Sequence, residues 1–412
     1  MPPGKPVSGR RQRGRLLAGL MIVVILAGLS AMLGSWNAVS TSIASSTYPA
    51  ITVSVPAQEM VGSAVFESSG QVDAQLTQGG NDELQIDLDH IPDPDPGTAY
   101  YAWLLPDHEK GLMQSLLLGR LTVSHAAVHF QYGGDQQHTD LLSRMSRLLI
   151  TEEAAAVPPL KPSLNQHTWR FYGETPQQPN RADSQDHDSL LDHIRFLLSD
   201  DPFMSQAMNM TSMHGGLRIW VLLTTRDVFE WASAARGEDL PEAPPFLRID
   251  LVRILDVLDG SAWVQQDVPV GTLLYVDPTL AQVPLLQVEP GQQPPGSILQ
   301  LSLQLAAITQ SPDATPGQRQ VAMHIITDLG LVVTSLESMR RDAKQLLLLS
   351  DAQLGQPVAL PLLDDLVEQA NVVYSGTLDP ASGEREGGTL RIADQLERLA
   401  TITVKRCPPC HS

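Results

Sequence analysis

Hydrophobic and polar positions change their period twice along this chain. Residues 16–36 (LLAGLMIVVILAGLSAMLGSW) carry no charged side chain. At a rise of about 1.5 Å per residue, such a helix crosses a hydrocarbon core about 30 Å thick. Residues 37–58 are uncharged and rich in Ser, Thr, Ala and Val, and read as an extended spacer. From residue 59 to about 153 short runs favour strands: FESSGQV, LQIDLDHI, AYYAWLL, LLGRLTV and AAVHFQY, separated by GG, PDPDPG and PDHEKG turns. They predict a small antiparallel β domain, sandwich-like, over residues 59–156. A Pro-rich linker over residues 157–185 follows. Beyond it apolar residues recur at steps of three and four in segments 187–198, 216–235, 245–258, 298–308, 317–349, 360–374 and 389–404.

In the longest segment Ala322, Ile325, Leu329, Val332, Leu336, Met339, Ala343 and Leu346 share one helical face. The expected class is therefore α+β: an N-terminal transmembrane helix, the β domain, then a helical bundle domain over residues 186–406 and a tail at 407–412. Residues 260–295 hold too much Pro, Gly and Val for helix and predict a hairpin or long loop.

Charge orients the chain. Lys5, Arg10, Arg11, Arg13 and Arg15 precede the apolar run with no acid among the first fifteen residues, and such an excess stays cytoplasmic. The expectation is a single-pass protein of the cell membrane with its N-terminus inside and its body extracytoplasmic. A cleaved signal peptide is the competing reading, although the run exceeds the usual 7–15 residues. Without the five basic residues of the stub, 22 basic residues face 46 acidic ones, a net charge of −24. Nucleic acid is excluded as a partner on that balance, because phosphate contacts draw on clustered Lys and Arg. A protein partner or membrane complex is expected instead.

Several segments carry a family resemblance. Tyr101-Ala102-Trp103-Leu104, Leu118-Gly119-Arg120-Leu121-Thr122-Val123, Asp140-Leu141-Leu142 and Ile150-Thr151-Glu152-Glu153 resemble exported domains of anti-sigma-factor-like bacterial membrane proteins. His193-Ile194-Arg195-Phe196-Leu197-Leu198 resembles the region that accompanies them. The resemblance implies a sensory or interaction ectodomain. Gripping a sigma factor needs a cytoplasmic helical domain, and only fifteen residues precede the apolar run, so direct sigma binding is not expected.

Chemistry concentrates at the C-terminus. Cys407-Pro408-Pro409-Cys410-His411 has the C-x-x-C-H spacing of haem c attachment, in which two thioethers hold the macrocycle and the adjacent His ligates iron. Haem c on Cys407, Cys410 and His411 predicts electron transfer or redox sensing; the alternative is an interaction ectodomain with no cofactor. The same residues also fit a redox dithiol, a zinc site completed by His324 or an acid, or a local disulfide. Met204, Met208, Met210, Met213 and His214 are candidates for a sixth iron ligand or, as flexible apolar fillers, for the core. No G-x-S-x-G, P-loop or G-x-G-x-x-G motif occurs, so the sequence makes no case for a hydrolase, kinase or dehydrogenase.

Overall fold

The alternating runs pair into a single sheet. The computed structural model describes residues 59–70, 79–110, 115–179, 188–199, 215–237, 244–274 and 281–407, apart from Ser382 and Glu384. The expected anchor at 16–36, the spacer, the methionine cluster and Cys410 and His411 lie outside them. The strands are β1 (Met60–Glu67), β2 (Glu83–Asp89), β3 (Thr98–Pro106), β4 (Leu116–Leu121), β5 (Ala127–Tyr132), β6 (Met145–Ala154) and β7 (Trp169–Glu174). A two-stranded hairpin, β8 (Thr377–Leu378) with β9 (Arg385–Glu386), comes late in the chain, and β10 (Thr401–Arg406) ends the described part.

The main sheet is antiparallel throughout, in the order β4-β3-β6-β7-β10-β1-β2-β5. This corrects the sandwich: the strands form one curled sheet, close to a barrel. Its edge strands β4 and β5 are joined by a turn that Ser124 and Ala127 close with backbone bonds of 2.9 and 3.0 Å. At Gly119 of β4 a Cβ would stand only 3.0 Å from the Phe130 Cζ of β5. Twist accumulated over many strands brings edge to edge, so the sheet buries its inner face against itself and leaves less edge exposed. Ala64, Phe66, Leu84, Ile86, Leu88, Tyr100, Ala102, Leu104, Leu148, Ile150, Phe171, Ile402 and Val404 fill the interior.

Two segments differ from their sequence reading. The stretch read as linker contains β7, and the segment read as helix over 389–404 divides into a helix ending at Glu397 and β10, whose Thr-Ile-Thr-Val alternation suits a pleat. β10 lies between β7 and β1, pairing Arg406 with Phe171 and Ile402 with Ala64. Residues 57–412 consequently form one compact unit.

The helices are α1 (Leu190–Leu198), α2 (Gly216–Gly237), α3 (Pro244–Asp259), α4 (Ser297–Gln310), α5 (Pro316–Leu347), the short α6 (Asp351–Leu354), α7 (Leu360–Ser375) and α8 (Thr389–Glu397). Local chemistry sets their starts. Ser189 and Asp192 form a capping box on α1, and Thr315 and Gln318 form another on α5, with Pro316 at the first helical position. α5 packs against α3, α4, α7 and α8, and all eight residues of its predicted face are buried. Among the described residues α5 alone is long and apolar enough to cross a membrane; wrapped by four helices, it is the core helix of the bundle. One continuous apolar core runs from the sheet interior into the bundle.

Candidate functional site

Strand direction gives the sheet two unlike rims. β1, β3 and β7 begin, and β2, β4, β6 and β10 end, at one rim, here called proximal. It carries Glu59, His90, Thr98, the loop 155–168 and Cys407. The opposite, distal rim meets the helices. There Arg195 of α1 grips Asp107 with two bonds of 2.8 and 2.9 Å and donates Nε to Leu142 O at 2.9 Å. The Asn81 amide donates to Leu198 O at 2.7 Å. Asn81 is buried and Arg195 and Asp107 are largely enclosed; multiply bonded, these groups join sheet to bundle.

Cys407, the first residue of the tail predicted to hold haem, stands on the proximal rim. The Cys407 N–H donates to Arg170 O at 2.9 Å, carrying the β10–β7 pairing one residue further. The Cys407 sulfur is disulfide-bonded, and the sequence contains a single other cysteine, Cys410. That overturns the haem c expectation: the Cys407 sulfur, committed to a disulfide, has no valence for a thioether and is no thiolate for zinc. Nor, among the described residues, does any group of three or more His, Cys, Asp or Glu side chains have the placement to hold a metal ion. His324, the candidate fourth zinc ligand, is exposed on α5. His193 is buried, with Nδ1 2.7 Å from Gln304 Oε1, tying α1 to α4.

Above Cys407 the rim is polar and closely bonded. Glu152 accepts from Thr98 Oγ1 at 2.5 Å, from the Asp95 N–H at 2.7 Å and from Arg170 Nε at 2.7 Å. Burial pushes the Glu152 carboxyl up, but these three donors outweigh it and hold it below the usual range. Arg406 lies 5.5 Å from the centre of the Phe171 ring and bonds His90 O at 3.0 Å.

Two clusters that sequence reading missed carry the strongest electrostatics. At the distal rim Arg147 donates to His108 Nδ1 at 3.2 Å, which places the imidazole proton on Nε2, 2.7 Å from Glu174. The Tyr172 hydroxyl donates to the same carboxylate at 2.6 Å; burial first, then Glu174, raises its pKa. In the bundle Asp259, at the end of α3, accepts from Arg340 Nε at 2.6 Å, while Asp267 binds Lys344 Nζ at 2.6 Å and also pairs with Arg340. Burial foremost, with Asp267 alongside and Arg340 opposing, pushes Asp259 up to about 7. A carboxyl of raised pKa can serve acid–base chemistry. The Asp259 side chain is wholly enclosed, however, and the pair acts as a buried clasp between α3 and α5. Sequence reading could not bring together residues so far apart in the chain.

The remaining feature is apolar surface. α4 contains no charged residue and exposes Leu299 and Leu303; α5 exposes Met323 and Leu331. At the proximal rim Met60, Val157, Leu160 and Leu164 face solvent.

No family model matches the chain, and no curated protein or solved structure matches it. The resemblance to anti-sigma-factor-like domains is thereby corrected. The segments that carried it, Tyr101–Leu104 in β3, Leu118–Leu121 in β4, Ile150–Glu153 in β6 and Ile194–Leu198 in α1, are largely core stretches whose apolar character follows from burial.

Proposed function

We propose that this chain is a membrane-tethered extracytoplasmic binding module. Its stub is cytoplasmic, residues 16–36 are the anchor, and the acidic body binds a protein partner through the outer face of α4 and α5. The observation carrying this reading is the exposed apolar side chains of α4 and of the first half of α5, where no charged side chain is exposed between Gln320 and Thr334. Leu299 and Leu303 are 39 % and 52 % exposed, and Met323 and Leu331 are 52 % and 44 % exposed. Leu303 lies seven residues before the end of α4 and Met323 seven after the start of α5, so the turn at 311–315 sets them at matching heights. On a chain of net charge −19 such a strip departs from the solvated acidic surface and suits an apolar partner helix or groove.

The test has two arms. External protease on intact cells should digest the body while sparing the stub, and protection of residues 60–400 would end the topological part. A photocrosslinker at Leu303 should give a discrete adduct in the membrane that Leu299→Asp abolishes. The binding reading is lost if the label at Leu303 yields no adduct beyond one at Gln136, an exposed residue elsewhere.

A further inference from the structure

The proximal rim presents a stiff apolar tip. In the loop 155–168, Leu160 is 96 % exposed, Leu164 82 % and Val157 71 %, and Met60, at the start of β1, is 69 % exposed. The loop is held in this form. Trp169 Nε1 donates to Ser163 O at 2.7 Å, the Ser163 N–H reaches Glu153 Oε1 at 3.3 Å, and the Asn165 side chain accepts from the His167 N–H at 3.1 Å. Pro158, Pro159 and Pro162 restrict its backbone, and Pro162 is buried. Beneath it Trp169 packs on the second apolar cluster of Tyr101, Trp103, Leu105 and Leu149. The exposed leucines are thus displayed by a built support.

Chain path places this tip. β7 and β1 flank β10, and the registers set Met60 level with Tyr172, so Met60 and Trp169 lie about two strand spacings apart across the sheet and three residues, roughly 10 Å, apart along the strands. Met60 is where the chain leads back to residues 1–58, and with them to the apolar run 16–36. We propose that loop 155–168 is a membrane-contact loop: Leu160 and Leu164, flanked by Val157 and Met60, enter the bilayer interface and set the proximal rim towards the lipid. This rests on the anchor reading above.

A convex tip of three or four apolar side chains is too small to hold a free protein on a bilayer. A tethered body needs less, because its anchor keeps the loop at high effective concentration over the lipid. The charges along the proximal rim nearly balance: Arg170 pairs with Glu152 and Arg406 with Glu59, leaving Arg120, Lys161 and Lys405 against Asp89, Asp93, Asp95 and Glu153. Insertion is therefore apolar rather than a response to anionic lipid. It would leave the exposed face of α4 and α5 to the partner.

The experiment uses the full chain with Cys407→Ser and Cys410→Ser, reconstituted in phosphatidylcholine vesicles. An environment-sensitive fluorophore is placed on Leu160→Cys, Leu164→Cys or, at the distal rim, Gln136→Cys. Alkaline carbonate extraction is run in parallel. Retention in carbonate, with a blue shift at 160 and 164 and loss of their emission to shallow doxyl-labelled phosphatidylcholine but none at 136, is the result expected. Retention without lipid quenching at 160 and 164 overturns the loop proposal and leaves the anchor standing. Release by carbonate overturns the anchor reading and this proposal with it. Equal quenching at all three positions overturns the assignment to the proximal rim, and a blue shift that follows protein density without lipid quenching assigns the loop to a second copy. Replacing half the phosphatidylcholine with phosphatidylglycerol should leave the quenching unchanged; a steep gain would overturn the apolar mechanism.

Discussion

Asp259 is where a single residue most plainly couples this fold to solution conditions. Its side chain is enclosed, and its carboxyl titrates near 7 against 3.8 for an ordinary aspartate. Between those values the folded chain holds a proton at Asp259 that the unfolded chain has lost, so this group's contribution to stability falls as pH rises from about 4 to about 7 and levels off above. Asp259→Asn, which keeps an acceptor for Arg340, should flatten that slope, as read by the unfolding midpoint across the window. An unchanged slope would place the titration on another group. Cys407 gives the second prediction at this scale. A thiol reagent added to the denatured chain should label nothing until a reductant is present. Reduction should then shift the unfolding midpoint little, because a loop of four residues at the chain end restricts the unfolded state less than the ~3 kcal/mol typical of a 15-residue loop. The C-x-x-C-H spacing points to haem because sequence fixes the number of residues between the cysteines and not the bond their sulfurs form.

Among the elements, the helices were largely legible and part of the sheet was not. The face of α5 could be read because a core helix inside other helices still leaves a polar side, and its capping box marks the start. β6 (MSRLLITEEA) was missed because seven of its ten residues, Ser146–Glu152, are buried; with both faces covered, alternation disappears. β7 was hidden in a Pro-rich stretch, and β10 followed a helix with only Arg398, Leu399 and Ala400 between. The Asp259 clasp and the distal-rim cluster were illegible for a further reason: their members come from separate elements that only tertiary packing brings together. The position of β10 sets a testable cost. Ile402 is fully buried in the sheet interior, so Ile402→Ala should lower stability by about 2–5 kcal/mol in a denaturant titration. Ending the chain at Ala400 removes the strand joining β7 to β1 and should leave no cooperatively folded protein. A folded truncated chain would show β10 to be an accessory edge.

At the scale of the whole molecule, the shift from period two to period 3.6 suggested separable β and helical parts, whereas the path of the chain ties them together. β10 reaches the centre of the sheet only after every helix has been laid down. On its way out of α8 the Leu399 carbonyl accepts from Gln318 of α5 at 2.8 Å, and Phe66 of β1 donates its N–H to Ala400 O at 3.2 Å. Arg218 of α2 reaches both Glu397 of α8 and Ser68 beyond β1, and α1 is clamped to the distal rim through Arg195 and Asp107. Unfolding the bundle therefore withdraws β10 and splits the sheet into β4-β3-β6-β7 and β1-β2-β5, halves that would each expose the apolar face now closed inside. Unfolding the sheet strips α1 and α8 of their partners in turn. We expect neither part to have a stable state without the other, which is the condition for a single transition even in a chain of this length. Deuterium uptake followed by mass spectrometry in rising urea should give peptides from β2 and from α5 one common midpoint. Two midpoints, with the bundle protected after the sheet has opened or the reverse, would separate the halves energetically and reduce β10 to a strap between independent domains.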